Sequence, residues 1–439
     1  MTKIAIIGAG GYEFPLQLMN DFLSFESTRD ATYALMDIDP QSLRRTERLA
    51  GRLVEAHRLP ARIESTTDRR VALRDADFVV VCFQVGGRDA YAVDMEIPRR
   101  YGVDQTVGDT LGPGGVFRGL RSMRALDELI ADMSDLCPEA PLLNYANPMS
   151  INCWFAGESG ARITGLCHSV QHTADELASI MGFGAGEWSF RAAGINHQAW
   201  MLEFRHRGRD AMPNLRAAVN AYHRGDLAPV REVDEWYAGG RESVRTAVMN
   251  LTGYFQTESS HHASEYYPHF RRTPEQVAAL LPQRWDYLDI TRGNNEAELE
   301  RLAEDFAGGR LTVSEEYAAR IVDSVLTNTP RVIYGNVPNA GLITNLPDGC
   351  CVEVPCLVDA NGVQPTHVGD LPAPCAGINL ASVGYQHTVV AAYRQRSRDL
   401  IYSAVALDRL TSSLLDLDQI RRMCDEMIDA QSWWLPEVR

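Results

Sequence analysis

The chain has no apolar run approaching the ~18 consecutive residues of a membrane-spanning helix. It is also poor in positive charge. Its 42 Lys and Arg stand against 58 Asp and Glu, for a formal net charge of −16. That balance argues against a nucleic acid or an anionic membrane as partner, and says little about a neutral small molecule. No CxxC pair occurs, so neither a zinc ribbon nor a thioredoxin-like site is expected. The nine cysteines are Cys82, Cys137, Cys153, Cys167, Cys350, Cys351, Cys356, Cys375 and Cys424. Their number is odd and their spacing irregular, and a chain of this size needs no disulfide staples. No basic or apolar leader precedes the first strand, so no secretory signal is expected and a reducing cytoplasm is the expected setting. There is no internal repeat and no low-complexity linker. At 439 residues, 45% hydrophobic and 23% charged, the chain suits two or three substantial cores. The expectation is two intimately packed domains.

What is present begins with alternation. Ile4 to Ile7, Tyr33 to Met36, Phe78 to Phe83 and Leu142 to Tyr145 read as short buried strands. The third is nearly all apolar, as a parallel strand covered on both faces should be. Leu120, Met123, Leu126, Ile130 and Met133 recur at helical spacing. Strands alternating with helices predict an α/β fold built on a doubly wound parallel sheet. After about Cys167 the pattern loosens. Segment 205–245 is polar, Arg-rich and helical in parts. Segment 272–312 reads as a charged helical surface feature. Glu315 to Leu326 reads as a helix, and Val332 to Val354 as strands and turns. Residues 384–409 and 417–429 read as closing helices.

The first strand runs into Gly8-Ala-Gly10-Gly11. This matches the first two glycines of the dinucleotide fingerprint, where one permits the tight turn and the next admits pyrophosphate to the backbone. Position 13 is Glu where the fingerprint has Gly. Pro15 fits early in a helix, whose free N–H groups would face phosphate. Asp37 closes the second strand, near the ~20-residue spacing of a carboxylate that takes ribose hydroxyls, so NAD is expected over NADP. Asp39-Pro40 reads as a turn. Further on, Gly165-Leu-Cys167-His168-Ser169-Val170 and Gly194-Ile-Asn196-His197 offer a thiol and an imidazole that can share one divalent metal. On these two residues alone, ordinary packing is the commoner role.

These blocks coincide with others. Before the thiol come Asp77-Phe-Val-Val-Val-Cys-Phe-Gln84-Val-Gly-Gly87, Asp109-Thr-Leu-Gly-Pro-Gly-Gly115 and Leu143-Asn-Tyr-Ala-Asn147-Pro-Met149. After His197 come Gly253-Tyr-Phe-Gln-Thr-Glu-Ser-Ser260, His261-His-Ala-Ser-Glu-Tyr266-Tyr-Pro268, Ile333-Tyr-Gly-Asn336 and Cys350-Cys-Val-Glu-Val-Pro-Cys356-Leu-Val-Asp-Ala-Asn-Gly362. Together they closely resemble glycoside hydrolase family 4, nearest its melibiase-type α-galactosidase branch, from the N-terminus to roughly the last helix. The resemblance implies a Rossmann-type NAD-binding domain, placed at residues 1–166. It also implies a lactate/malate dehydrogenase-like α+β domain at 167–439 that carries metal and catalysis. It implies NAD held through turnover and a divalent metal, usually Mn2+, on Cys167 and His197. Gly8, Gly10, Gly11, Asp37 and Gln84 are the cofactor residues expected. Asn147, Ser169, Asn196 and His172 are the substrate residues expected, Ser169 being the residue that resembles the α-galactosidase variant. Three departures stand out: His172, Tyr12-Glu13, and His261 in place of a Glu.

Most glycosidases work with two carboxylates across an oxocarbenium-like transition state, whereas the family resembled here implies a redox-assisted elimination. A C2–H bond is too weakly acidic for a protein base until C3 is oxidised to a ketone. The C2 proton then leaves, the C1 group is eliminated, water adds, and the hydride returns to C3. Tyr266 is the expected C2 base, helped by the metal or by a cation such as Arg271. His168 and Asp109 are candidates for the leaving-group acid or its support, with Asp109 alternatively a helix cap. Asn147 could equally serve turn chemistry and His172 packing, and His261 and His262, as sequence neighbours, should point apart. The competing readings are the same mechanism on an α-glucoside or α-glucuronide, with Arg88 or Arg118 meeting a carboxylate; a lactate/malate-type dehydrogenase; and a nucleotide sensor without turnover. The expected partner is a small-molecule glycoside, within a homo-oligomer of two or four subunits.

Overall fold

Six short strands of the first 166 residues pair in parallel. They are β1 (Lys3–Ile7), β2 (Thr32–Met36), β3 (Arg62–Thr66), β4 (Phe78–Val81), β5 (Leu142–Asn144) and β6 (Ile163–Leu166). The computed structural model, which describes residues 1–231, 241–293 and 296–439, places them in the order β3-β2-β1-β4-β5-β6. That is the strand order of a doubly wound dinucleotide-binding sheet. Every residue of β4, β5 and β6 is buried, which is why these strands read as apolar runs. β3 escaped the sequence reading because Ile63 is its single large apolar residue and its pattern is mostly exposed. It is the charged edge of the sheet.

The sheet does not stop at β6. It continues antiparallel through β10 (Arg331–Pro338), β11 (Cys351–Asp359), β7 (Trp188–Ile195), β8 (Gln198–His206) and β9 (Arg209–Asp210), with β12 (Gly362–Pro365) beside β11. β7 and β8 form a hairpin whose two-residue turn is Asn196-His197. Periodicity missed this hairpin because β7 begins among polar residues. One continuous hydrophobic core runs through both halves. The helices Gly112–Leu136 and Ala373–Gln395 pack together and close the molecule with Leu417–Gln431.

Segment 272–312 is more than a surface feature. Its helices Tyr287–Gly293 and Glu296–Gly308 pack against the helices of the nucleotide half and the loop before Gly112. Tyr287 N–H donates to the Thr106 carbonyl at 2.8 Å, and Leu299 and Ala303 are buried. The charges are spent on Arg48 and Arg52, which reach Glu300.

The glycine turn has the close approaches its sequence predicts. Gly8 has φ +94°, and a Cβ there would sit 2.6 Å from the Phe83 amide nitrogen. Gly10 donates its N–H to Asp37 Oδ2 at 2.8 Å, and a Cβ on Gly10 would meet the same oxygen. Gly11 is unconstrained, its nearest neighbour being 3.5 Å away. Pro15 opens the helix Pro15–Ser24 as expected. Asp39 is not a simple turn residue: it caps the helix Pro40–Ala56 by accepting from the Gln41 and Ser42 N–H groups. The departures after the glycines pair locally. Tyr12 lies under the Arg45 guanidinium at 4.1 Å, and Glu13 accepts from the Tyr287 hydroxyl at 2.8 Å. Gly8→Ala should therefore cost about 1–3 kcal/mol of stability through forced backbone strain, while Gly11→Ala stays within about 0.5 kcal/mol. Urea denaturation of the two variants checks this, and equal midpoints would contradict the turn geometry.

Candidate active site

Because β1, β4, β5 and β6 run parallel, their following residues gather at one edge of the sheet, where open α/β sheets bind ligands. The Gly8–Gly11 turn, Gln84, Asn147 and Cys167–Ser169 all lie there. A chain of hydrogen bonds links them. Arg118 donates from Nη2 to Gln84 Oε1 (3.1 Å) and from Nε to the Asn147 carbonyl (3.2 Å). Asn147 Nδ2 donates to Asp109 Oδ2 at 2.9 Å. Thr110 Oγ1 donates to Asp109 Oδ1 at 2.6 Å and lies 3.3 Å from His197 Nδ1. His197 Nε2 lies 3.5 Å from Cys167 Sγ. Residues far apart in sequence thus form one cluster. Asp109 is not a helix cap: Leu111 holds the N-cap of Gly112–Leu136, and the Asp109 carboxylate is spent on Asn147 and Thr110.

Cys167 follows β6, and His197 sits in the β7–β8 turn with φ +60°, which aims its ring back at the thiol. Burial pushes the Cys167 thiol up to about 11, partly offset by His168 and aided by Glu353 and Glu258. Ser169 is fully buried, and its hydroxyl faces Cys167 Sγ at 3.4 Å. Glu258 Oε2 stands 3.8 Å from His197 Nε2. Glu353, on β11 opposite Gly194, is also buried there. Desolvation raises its carboxyl to about 7 against the pull of His197, Asn336 and Asn196. Glu258, Glu353 and Glu316 lie within the quoted motifs or close to them, but nothing in their spacing marked them. Only the fold brings them to the thiol.

Tyr266 is buried, and its hydroxyl has no hydrogen-bond partner among the described residues. Burial and the charges of Asp109, Glu258 and Glu265 push its phenol well above the usual range. Tyr267 points elsewhere, donating to Gln256 Oε1. Arg271 does not serve Tyr266: it bonds Asp104 and Ser264. His261 and His262 do point apart. His261 stacks on Trp285 at 4.4 Å, while His262 Nε2 reaches His197 Nδ1 at 3.0 Å. His168 Nδ1 lies 2.9 Å from Glu316 Oε1. Desolvation lowers this imidazole, but the Glu316 hydrogen bond and the neighbouring Cys167 and Glu258 charges outweigh it and lift the group to about 10. His172 is half-buried one helical turn beyond His168, and Arg88 is exposed. Buried Arg118 keeps Nη1 unbonded.

The residues fit both groups that the sequence suggests. Glycines stand where a Cβ would fill the nucleotide turn. Two ligands on one ion lie roughly 3–4 Å apart given ~2.1 Å and ~2.3 Å metal bonds, and Cys167 and His197 meet that at 3.5 Å. Among the described residues no three His, Cys, Asp or Glu side chains form a closed cage. An open shell with two protein ligands and an unbonded tyrosine hydroxyl beside it suits a catalytic ion that also takes oxygen ligands from a substrate.

The described residues contain no helix long and apolar enough to cross a membrane. The chain is 38% identical to an α-galactosidase of Rhizobium meliloti, covering 99% of this chain and 89% of that one. It is 35% identical to an α-galactosidase of Bacillus subtilis over the whole of both. A 6-phospho-α-glucosidase from gut microorganisms, solved with NAD and Mn2+, superposes with a TM-score of 0.83 at 22% identity over the whole of both chains. The sequence profile of the family 4 glycosyl hydrolases matches residues 3–183, and that of their C-terminal domain matches residues 192–411. With the nucleotide turn and the Cys167–His197 pair at one sheet edge, the chain belongs to the family 4 glycosyl hydrolases.

Proposed function

We propose that this protein is an NAD- and Mn2+-dependent α-galactosidase. The observation that carries the reading is the Cys167–His197 pair, 3.5 Å apart and joined by hydrogen bonds through Asp109 and Asn147 to Gln84 beside the glycine turn. The full-length likeness to two α-galactosidases selects the sugar. Residues 1–166 hold the dinucleotide and 167–439 the metal and most of the catalytic groups. The glycine turn would hold NAD, which would supply hydride transfer at C3, and Cys167 and His197 would hold a divalent ion, which would supply Lewis-acid assistance to removal of the C2 proton. Gly8, Gly10 and Gly11 admit the pyrophosphate, Asp37 takes the ribose hydroxyls, and Gln84 borders the nicotinamide. Asn147 and Asn196 orient sugar hydroxyls. Ser169 acts through the thiol it touches, and His172 lines the approach.

The proton steps fall to this chain's own side chains. Tyr266 Oη removes the C2 proton, its freedom from other partners leaving the oxygen available. The raised phenol pKa means that a nearby cation is required for that role. His168, kept protonated by Glu316, supplies the proton to the departing C1 oxygen. Asp109 holds the Asn147 amide and the Thr110 hydroxyl in place. The C1 bond breaks by elimination, water adds across the double bond at C1, and C2 is reprotonated. We further propose a cytoplasmic homo-oligomer, supported by nine free cysteines and by Trp433, which is 87% exposed.

Three outcomes test this reading. Across nitrophenyl α- and β-glycosides with NAD, Mn2+ and a thiol reductant, the α-galactoside should be hydrolysed and NADH should not build up; NADH rising in step with product would favour a dehydrogenase. Cys167→Ser should weaken Mn2+ binding and nearly abolish turnover, because a soft thiolate is lost. Normal metal content with full activity would remove Cys167 from the site. Tyr266→Phe should keep the fold and NAD binding while hydrolysis drops by ~100- to 10,000-fold. In heavy water the wild-type product should carry deuterium at C2, and a C2-deuterated substrate should react more slowly. Absence of both effects would rule out the elimination route.

A further inference from the structure

His197 can bind a cation through Nε2 only if that nitrogen carries the lone pair. Nε2 is the atom that faces Cys167 Sγ (3.5 Å) and Glu258 (3.8 Å). Which ring nitrogen holds the proton is therefore decided at Nδ1, by whatever it meets. Nδ1 lies 3.0 Å from His262 Nε2 and 3.3 Å from Thr110 Oγ1. The Thr110 hydroxyl spends its proton on Asp109, so toward His197 its oxygen only accepts.

The other ring nitrogen of His262, Nδ1, lies 3.3 Å from Glu265 Oε2. Glu265 is fully buried and its carboxylate accepts from the Thr106, Val107 and Gly108 N–H groups, from Thr106 Oγ1 and from Gln105 Nε2. Five donors on its two oxygens hold this carboxyl in its ionised form. An ionised carboxylate has no proton to give, so His262 Nδ1 must donate. Thr110 Oγ1, which only accepts, faces the same His197 Nδ1, and a proton on Nδ1 satisfies both of its neighbours, so the geometry makes a neutral His262 the acceptor through Nε2 and places the proton on His197 Nδ1. The i, i+3 spacing of His262 and Glu265 on adjoining helical turns sets this arrangement, and His262 also meets the Tyr266 ring edge-on at 5.2 Å.

We infer that His262 and Glu265 are positioning residues: they hold His197 in its Nδ1–H tautomer, so that Nε2 presents a lone pair to a divalent cation beside Cys167. Because Glu265 also grips the loop that carries Asp109 and Thr110, one carboxylate anchors both the imidazole ligand and the groups that face the sugar. The inference rests on the reading of Cys167 and His197 as the metal pair, and deepens it.

The test measures Mn2+ affinity from the electron paramagnetic resonance signal of free Mn2+, with NAD present, in four full-length proteins: the wild type and three variants. His262→Phe keeps a ring but removes the acceptor, and should weaken Mn2+ by ~10- to 100-fold, the usual effect of losing an outer-shell partner of a ligand. Its metal-free melting temperature should stay close to that of the wild type. His262→Gln, whose carbonyl can stand where Nε2 stood, should recover most of the affinity. Cys167→Ser is the control for the underlying pair. If Cys167→Ser binds Mn2+ as tightly as wild type, the pair itself is wrong. If Cys167→Ser weakens binding and a folded His262→Phe does not, the tautomer inference alone is overturned. The 15N spectrum of histidine-labelled wild type, assigned with His197→Gln, gives a reading that needs no variant at 262. His197 should appear protonated at Nδ1, and the Nε2–H form would refute the inference.

Discussion

The active edge of this molecule depends on the junction where β10 pairs with β6 through Gly335 opposite Leu166 and Asn336 opposite Gly165. This short antiparallel contact joins a parallel nucleotide sheet to an antiparallel one. It admits only glycine at its centre. A Cβ on Gly165 would lie 2.5 Å from both Cys153 Sγ and Met149 Sδ, and 2.9 Å from Asn336 Cβ. Asn336 also donates to Glu353 at 3.1 Å. Through β10 and β11 the junction sets where the β7–β8 turn falls, and hence where His197 stands relative to Cys167 at the end of β6. The 3.5 Å between thiol and imidazole is thus a property of strand register across the whole sheet.

Around that pair the field is negative, with Glu258, Glu353, Asp109 and Glu265 gathered near it. The consequences appear as a carboxyl raised to about 7 at Glu353, a thiol raised to about 11 at Cys167 and a phenol pushed up at Tyr266. Burial, joined by neighbouring negative charge, shifts each of these groups toward its protonated form. A divalent cation held there would oppose the charge part of all three shifts.

Support for the site is itself buried and ionic. Arg245 lies fully buried between Glu242 and Glu176 and donates to Thr173. It ties the helix Ser169–Ile180, which follows the thiol, to the segment that leads into His262 and Tyr266. The departures from the family pattern at Tyr12, Glu13 and His261 are also paired. Tyr12 is matched by Arg45, Glu13 by Tyr287 and His261 by Trp285.

The residues themselves determined a good deal. Apolar strands followed by helices specify the parallel half of the sheet, since a strand buried on both faces must be apolar throughout. Gly8 and Gly10 are legible because no other residue fits where they stand. Cys167, His197 and Tyr266 were legible through motif order alone. The rest was decided by tertiary structure. β3 and the β7–β8 hairpin lack a strong local pattern, so their pairing partners define them. Glu258, Glu316 and Glu353 carry no local signature, and become part of the site only where separate strands and loops converge. The alternative reading of Asp109 as a cap rested on a local interaction, yet its partners are Thr110 beside it and Asn147 from another strand's end. His261 and His262 were expected to point apart, without a sign of which faces where. Which neighbour faced the ligand was settled by a helical turn that points 262 at His197 and 261 at Trp285, because directions along a helix diverge by about 100° per residue.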